Sequence, residues 1–197
     1  MLKRIFDIFC SLVGLVLLFP LFIVIYILII SESKGGAFYI QSRVGKNGKN
    51  FNLFKFRTMY INSDKKGLLT VGGKDSRITK IGYYLRRYKL DELPQLLNVF
   101  LGTMSLVGPR PEVRKYVDLY TTSQAKILLV KPGITDYASL EYFEENDLLA
   151  KSNEPEKTYI NEIMPAKLKL NEKYILEAGI VTDIKIIFKT IKRIFKD

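Results

Sequence analysis

Residues 5–30 are apolar at nearly every position, and Asp7 is the only charge among them. As one straight helix, that run would measure about 39 Å against a bilayer hydrocarbon core of roughly 30 Å. Pro20 interrupts it, because a mid-helix proline removes one backbone hydrogen bond and crowds the preceding turn. The arms on either side, residues 5–19 and 21–30, would reach about 22 and 15 Å, so neither crosses alone. Lys3 and Arg4 precede the run, and Lys34, Arg43, Lys46 and Lys49 follow it. Positive charge on both flanks sets no orientation. Three readings stay open on this pattern: a spanning helix kinked at Pro20, a re-entrant helix-break-helix that enters and leaves by one leaflet, and a signal peptide. No small-residue cleavage site follows the run to support the last.

The period then changes. Residues 37–42 and 51–58 predict the strands of a β-hairpin, with Asn47-Gly48 as the turn signal. In the second strand Phe54 and Phe56 alternate with Lys55 and Arg57, which puts apolar groups on one face and cations on the other. Residues 62–76, including Gly72-Gly73, predict a mobile loop. Ile78, Ile81 and Leu85 follow helical spacing, and Arg86, Arg87 and Lys89 fall at that helix's end. Pro94 suits a first helical turn and Gly102 a helix stop, so Asp91 and Glu92 fall at or just before a helix N-terminus. Residues 107–112 form a stiff turn, Pro132-Gly133 marks another, and helical pattern returns around 162–176. At the C-terminus Ile184, Ile187, Phe188, Ile191, Ile194 and Phe195 make one apolar face, with Lys185, Lys189, Lys192, Arg193 and Lys196 around it. Such a helix suits an anionic membrane surface, and by pattern alone it equally suits a core-facing helix with a solvated basic side.

Composition narrows the chemistry. The 197 residues are 48% hydrophobic, which argues for a packed domain rather than disorder. A net charge of +11 calls for anionic partners, whether lipid headgroups, nucleotide phosphates or nucleic acid. There is no His, which excludes His general bases, Ser-His-Asp triads and His metal sites. The single Cys10 lies inside the apolar run, so no internal disulfide can form and a cytoplasm-facing protein is expected. No linker divides the chain, and the expected organisation is a membrane segment, 1–33, followed by one catalytic domain, 34–197.

Asp91-Glu92 is the strongest catalytic candidate. Adjacent carboxylates repel, while a helix N-terminus or a divalent cation such as Mg²⁺, shared with substrate phosphates, opposes that repulsion. An ionised Asp can also act as a nucleophile. The plain structural alternative is a helix N-cap followed by a first-turn acid. Arg110 sits between Pro109 and Pro111, whose rings stiffen the backbone and present the guanidinium for bidentate phosphate binding. Lys55, Arg57, Arg77 and Arg86 are candidate supplements to that phosphate site, each with a solvated surface charge as its alternative. The acidic residues at 141–147 lack calcium-loop spacing and read as a solvated helix face. Adjacent residues rarely flank a glycosidic bond from opposite sides, which disfavours a retaining glycosidase.

Taken in order, several motifs are specific. They are Lys3-Arg4-Ile5-Phe6-Asp7, Phe54-Lys55-Phe56-Arg57-Thr58-Met59, Arg77-Ile78-Thr79-Lys80-Ile81-Gly82, Leu90-Asp91-Glu92-Leu93-Pro94-Gln95-Leu96, Ser105-Leu106-Val107-Gly108-Pro109-Arg110-Pro111 and Lys131-Pro132-Gly133-Ile134-Thr135. With them the chain resembles the bacterial sugar transferase family, the monotopic polyprenyl-phosphate phosphoglycosyl transferases, in its small single-domain form. The resemblance implies an α+β, mainly helical fold with a re-entrant membrane helix broken at Pro20, a short β-hairpin and interfacial helices around the active site. It implies transfer of a phospho-sugar from a UDP-sugar to polyprenyl (undecaprenyl) phosphate with release of UMP, as the first membrane step of polysaccharide or glycoconjugate assembly. Asp91 would be the nucleophile and Glu92 its partner in metal binding or proton handling, with Mg²⁺ and Arg110 neutralising phosphate. Membrane lipid, not nucleic acid, would be the remaining partner, at the cytoplasmic face of a bacterial inner membrane. Two positions depart from the family's pattern: Phe19 stands where Ser often precedes the membrane proline, and Asp136-Tyr137 where Gly-Trp is common.

Overall fold

A computed structural model describes residues 1–63, Gly72 and residues 75–195. Most of the loop expected at 62–76, with Gly73, lies outside the described residues, as does Lys196. The apolar run forms one helix, α1 (Leu2–Glu32), which continues through Pro20 where a break into two arms was expected. A proline kinks rather than ends a helix when apolar side chains on both sides hold it, and here both halves of α1 pack on the same domain.

Those contacts follow one stripe of the helix. Lys3 Nζ donates to the Val107 carbonyl at 3.1 Å and pairs with Asp183. Arg4 donates to the carbonyls of Val99 and Phe100, and the buried Asp7 accepts from the Ser105 hydroxyl and the Leu106 N–H, both at 3.0 Å. Farther along, Gly14 faces Leu96, and Phe22 meets Phe56 edge-on with ring centroids 5.1 Å apart. Ile25 and Ile29 join a core cluster with Ala37, Phe56 and Leu85. At the far end the Glu32 carboxylate accepts from the N–H groups of Lys80 and Ile81. The remaining faces leave Phe9, Val16, Leu17, Phe19, Val24 and Ile27 exposed.

The predicted hairpin is present as β1 (Phe38–Val44) and β2 (Asn50–Phe56), antiparallel, with Phe38 opposite Phe56. Asn47 and Gly48 both take positive φ in its turn, as the sequence indicated. The helix α2 (Lys80–Arg87) starts on the Thr79 hydroxyl, which accepts from the Gly82 N–H at 2.9 Å. A 3₁₀ turn over Leu90–Glu92 leads into α3 (Gln95–Leu101), with Pro94 at its N-cap and Gly102 ending it at φ 92°.

Two short strands, β3 (Ser105–Val107) and β4 (Gly133–Thr135), pair in parallel where the sequence pattern indicated only turns. Gly108 and Gly133 let these segments meet, since a Cβ on Gly133 would lie 2.0 Å from the Gly108 nitrogen. Between the strands lies α4 (Arg114–Val117). After them come α5 (Tyr137–Glu141), α6 (Glu145–Ala150), α7 (Pro155–Thr158), a π turn over Tyr159–Ile163, α8 (Met164–Glu177) and α9 (Ile180–Ile194). A second core cluster gathers Tyr116, Ile127, Leu149, Tyr159, Met164 and Leu168.

The expected C-terminal amphipathic helix is α9. Asp183 and Ile186 are its buried contacts. Ile184, Phe188, Ile191 and Phe195, most of the predicted apolar face, are exposed, Phe188 by 70% and Phe195 by 82%, and Ile184, Phe188 and Ile191 also border a cleft.

Candidate active site

The hairpin, the 3₁₀ turn, the Pro109–Pro111 turn and the helices α5, α6, α8 and α9 surround a cleft of about 1160 Å³. Asp91 and Glu92 lie in its wall, 8% and 9% exposed, where the 3₁₀ turn holds adjacent side chains in different surroundings. Glu92 is fully engaged: Oε1 accepts from Lys55 Nζ at 3.0 Å and from Arg110, and Oε2 accepts from Arg110 Nη1 at 3.0 Å. Among the described residues no hydrogen bond reaches the Asp91 carboxylate, although Lys55, Arg86 and Lys89 act on it through their charge.

The two acids therefore diverge. Burial raises the pKa of Asp91, with the Lys55 charge opposing and the Glu92 charge adding to the rise. Burial would also raise Glu92, but Arg110 and Lys55 outweigh it and hold Glu92 well below the usual carboxylate range. Burial lowers Lys55, partly offset by Glu92, and Glu92 raises Arg110. Glu92 is thus a fixed counter-ion for two cations, and Asp91 is an open carboxylate beside them.

Backbone geometry sets the cation positions. Lys55 projects from β2 on the face opposite Phe56. The Arg110 N–H donates to Asp136 Oδ2 at 3.2 Å, and Asp136 Oδ1 caps α5 by accepting from the Ser139 N–H at 2.6 Å. The departure at Asp136 therefore fixes the Pro109–Pro111 turn and the start of α5. Glu112 extends the scaffold, accepting from Arg43 at 3.0 Å and from the Tyr159 hydroxyl.

Not every expected cation converges on the acids. Arg57 sends its guanidinium to the carbonyls of Ser33, Lys34 and Gly35, just beyond α1, although its side chain also borders the cleft. Arg77 forms a close pair with Asp75, whose carboxyl is lowered first by hydrogen bonds from Arg77. Arg86 lines the cleft, while Pro20 stays in the exposed middle of α1.

Several residues escaped sequence reading. Lys89 takes a left-handed φ of 55° directly before the acidic turn, and its Nζ sits 4.6 Å from the Phe143 ring centroid. Lys167 pairs with Glu145 at 2.6 Å, so Glu145 faces the cleft rather than forming part of a solvated helix face. The one available signal for these residues was charge within helical pattern, which also describes any surface.

Mg²⁺ takes one or two carboxylates together with substrate phosphates. The Asp91 carboxylate, which accepts no hydrogen bond among the described residues, is the side chain in the cleft that could share such an ion with a bound phosphate. Glu92 is less available as a second protein ligand, because hydrogen bonds from Lys55 and Arg110 already take three of the roughly four acceptor sites on its oxygens. No cluster of three or more potential metal-ligating side chains occurs among the described residues.

A family model described as "Bacterial sugar transferase" matches residues 1–197. A UDP-N-acetylgalactosamine-undecaprenyl-phosphate N-acetylgalactosaminephosphotransferase of Aeromonas hydrophila is 34% identical over 98% of this chain and 43% of its own length. A UDP-glucose:undecaprenyl-phosphate glucose-1-phosphate transferase of Escherichia coli (strain K12) is 35% identical over 97% of this chain and 39% of its own length. An exopolysaccharide production protein of Rhizobium meliloti (strain 1021) is 34% identical over 97% of this chain and 84% of its own length. The chain spans less than half the length of the first two of these relatives. Because that family model matches residues 1–197 from end to end, the chain belongs to the bacterial sugar transferase family.

Proposed function

We propose that this chain transfers a phospho-sugar from a UDP-sugar to polyprenyl (undecaprenyl) phosphate, by way of a covalent intermediate on Asp91. The observation that carries this reading is the asymmetry of the acidic pair. Glu92 anchors Lys55 and Arg110, while among the described residues no hydrogen bond competes for the Asp91 oxygens.

A donor diphosphate fits against Lys55, Arg110, Lys89 and Arg86, all of which line the cleft. In the first step an Asp91 oxygen attacks the sugar-bearing phosphorus. The bond from that phosphorus to the bridging oxygen breaks, and UMP leaves with the electron pair. In the second step a phosphate oxygen of the polyprenyl phosphate attacks the same phosphorus. The Asp91–phosphorus bond breaks, which restores the carboxylate and yields the polyprenyl diphosphate sugar. Both nucleophiles are anions, so neither step needs a His base. Charge stabilisation and positioning supply most of phosphoryl-transfer catalysis, which suits a site built from guanidinium and ammonium groups. Mg²⁺, when bound at Asp91 and the diphosphate, would neutralise phosphate charge and orient the leaving group.

The acceptor is a lipid, and the fold supports a membrane position for the cleft. Both ends of α1 bond to the same domain, through Lys3, Arg4 and Asp7 at one end and Glu32 at the other. A helix crossing the bilayer would carry its ends to opposite faces, out of reach of one domain. We therefore favour a monotopic chain that keeps both ends of α1 at one leaflet, at the cytoplasmic face of the inner membrane. The outward apolar side chains of α9 would lie in the same interface.

The test is UMP release by detergent-solubilised protein with Mg²⁺, undecaprenyl phosphate and a panel of UDP-sugars. Release that depends on the UDP-sugar and falls at least about 10³-fold in Asp91→Asn is expected. Equal release from Asp91→Asn removes Asp91 as nucleophile.

A further inference from the structure

Three buried side-chain polar atoms lack a hydrogen-bond partner among the described residues: Arg57 Nε, Ser139 Oγ and Asn171 Oδ1. All three residues border the cleft. Buried polar atoms are nearly always paired, so unpaired ones facing one cavity point to what the cavity holds. Arg57 already spends its other nitrogens on the end of α1. Ser139 and Asn171 have no such structural duty for these atoms. Asn171 is only 4% exposed, yet it sits on α8 among Leu168, Met164 and Tyr174, where an apolar side chain would pack without an orphan oxygen.

Their position relative to the phosphate-binding groups is informative. Ser139 is one carboxylate away from Arg110, because Asp136 accepts from both backbone N–H groups. Asn171 lies one helical turn beyond Lys167, about 6 Å along α8, and Lys167 is held at the cleft by Glu145. The same cleft thus offers Lys55 and Arg110 to phosphates and, at Ser139 and Asn171, two buried polar atoms without partners among the described residues. Its lining also includes the buried Ala138, Leu149 and Leu168 and the Lys167–Glu145 pair.

We propose that Asn171, assisted by Ser139, is the subsite that reads the uracil base of the nucleotide donor. The assignment rests on the transferase reading above and extends it to the leaving group. Uracil offers an N–H at N3 between two carbonyl oxygens, and a side-chain amide matches that edge with one acceptor and one donor. Asn171 Oδ1 accepts from N3–H, its Nδ2 donates to the neighbouring carbonyl, and the Ser139 hydroxyl donates to the remaining oxygen or the ribose. Burial makes each bond count, because a base without these groups leaves the amide oxygen unpaired.

The experiment is calorimetric titration of the full chain in detergent with UMP, CMP and inorganic pyrophosphate, alongside UMP release from the UDP-sugar panel. Asn171→Ala should weaken UMP binding by about tenfold or more while leaving pyrophosphate binding within about twofold. Ser139→Ala should cost UMP a smaller factor, about two- to fivefold. Asn171→Asp supplies a second route that preserves shape. An ionised carboxylate accepts but cannot donate, so the UMP:CMP affinity ratio should fall as the amino group of cytosine gains an acceptor. Asn171→Ser serves if either variant melts early. Wild-type release of UMP combined with unchanged UMP affinity and base preference in every folded variant overturns the subsite and leaves the transferase reading standing. Altered preference among UDP-sugars at constant UMP affinity also overturns it, because Asn171 would then read the sugar. A wild type that neither binds nor releases UMP overturns both.

Discussion

Asp91 and Glu92 are neighbours in sequence and opposites in circumstance. Arg110 and Lys55 hold Glu92 ionised, whereas burial pushes Asp91 up. Ionised Asp91 is the reactive form, so kcat/KM should fall on acidification at a higher pH than an ordinary Asp would give. It should fall again on the alkaline side when Lys55, lowered by burial, loses its proton. Glu92→Gln removes the negative charge that raises Asp91, so the acidic limb should move to lower pH, as a pH–rate profile of the variant would reveal. Arg110→Lys keeps the charge but loses the fork that grips both Glu92 oxygens, and turnover should drop about 10²-fold. Much of this was legible: the acidic pair and the proline-bracketed arginine stood out by residue type and spacing. Lys89 did not, because nothing in a run of basic residues announces a left-handed backbone. Arg57 and Arg77 were equally basic in sequence, and only folding reveals that carbonyls and Asp75 claim them.

The elements that build the site differ in how far sequence pattern foretells them. The hairpin had alternation over seven-residue strands and an Asn-Gly turn, and the register follows from both. β3 and β4 have three residues each, too few to show a period, and a parallel pair needs no local turn signal. Their pairing rests on two glycines. Gly133→Ala would drive a Cβ into the Gly108 backbone, and a loss of about 3 kcal/mol or more is expected in denaturant unfolding. The charge within the apolar run had no explanation until its partners were known. Asp7 ties α1 to β3, so Asp7→Ala should destabilise by about 2–3 kcal/mol by stranding the Leu106 N–H and the Ser105 hydroxyl. A second-site Ser105→Ala should recover part of that loss, which separates the stranded hydroxyl from general damage to α1.

At the scale of the molecule, apolar surface and positive charge fall where a membrane protein would use them. The outward faces of α1 and α9 expose many large apolar side chains, and the chain carries +11. Flotation with anionic vesicles should therefore weaken with salt but persist, since salt screens charge and leaves apolar insertion intact. Topology has a direct check: cysteines placed at Leu2 and Ser33 should react with an impermeant reagent from the same side of sealed inverted vesicles. Labelling from opposite sides would mean a spanning helix. Length and flanking charge allowed both arrangements in sequence, and the hydrogen bonds that hold both ends of α1 to one domain are the reason to make this measurement.

The guanidinium of Arg57, one residue past the end of β2, grips the three carbonyls that follow α1, while Lys55 on β2 reaches Glu92. The exit of the membrane helix and the electrostatics of catalysis are thus one short lever. Bilayers built from shorter or longer acyl chains would change how deeply α1 sits, and that change would be felt at Lys55. Hydrocarbon thickness then acts as a rate-setting variable, so turnover in nanodiscs should peak at one acyl length and decline on either side, with no change in substrate concentration.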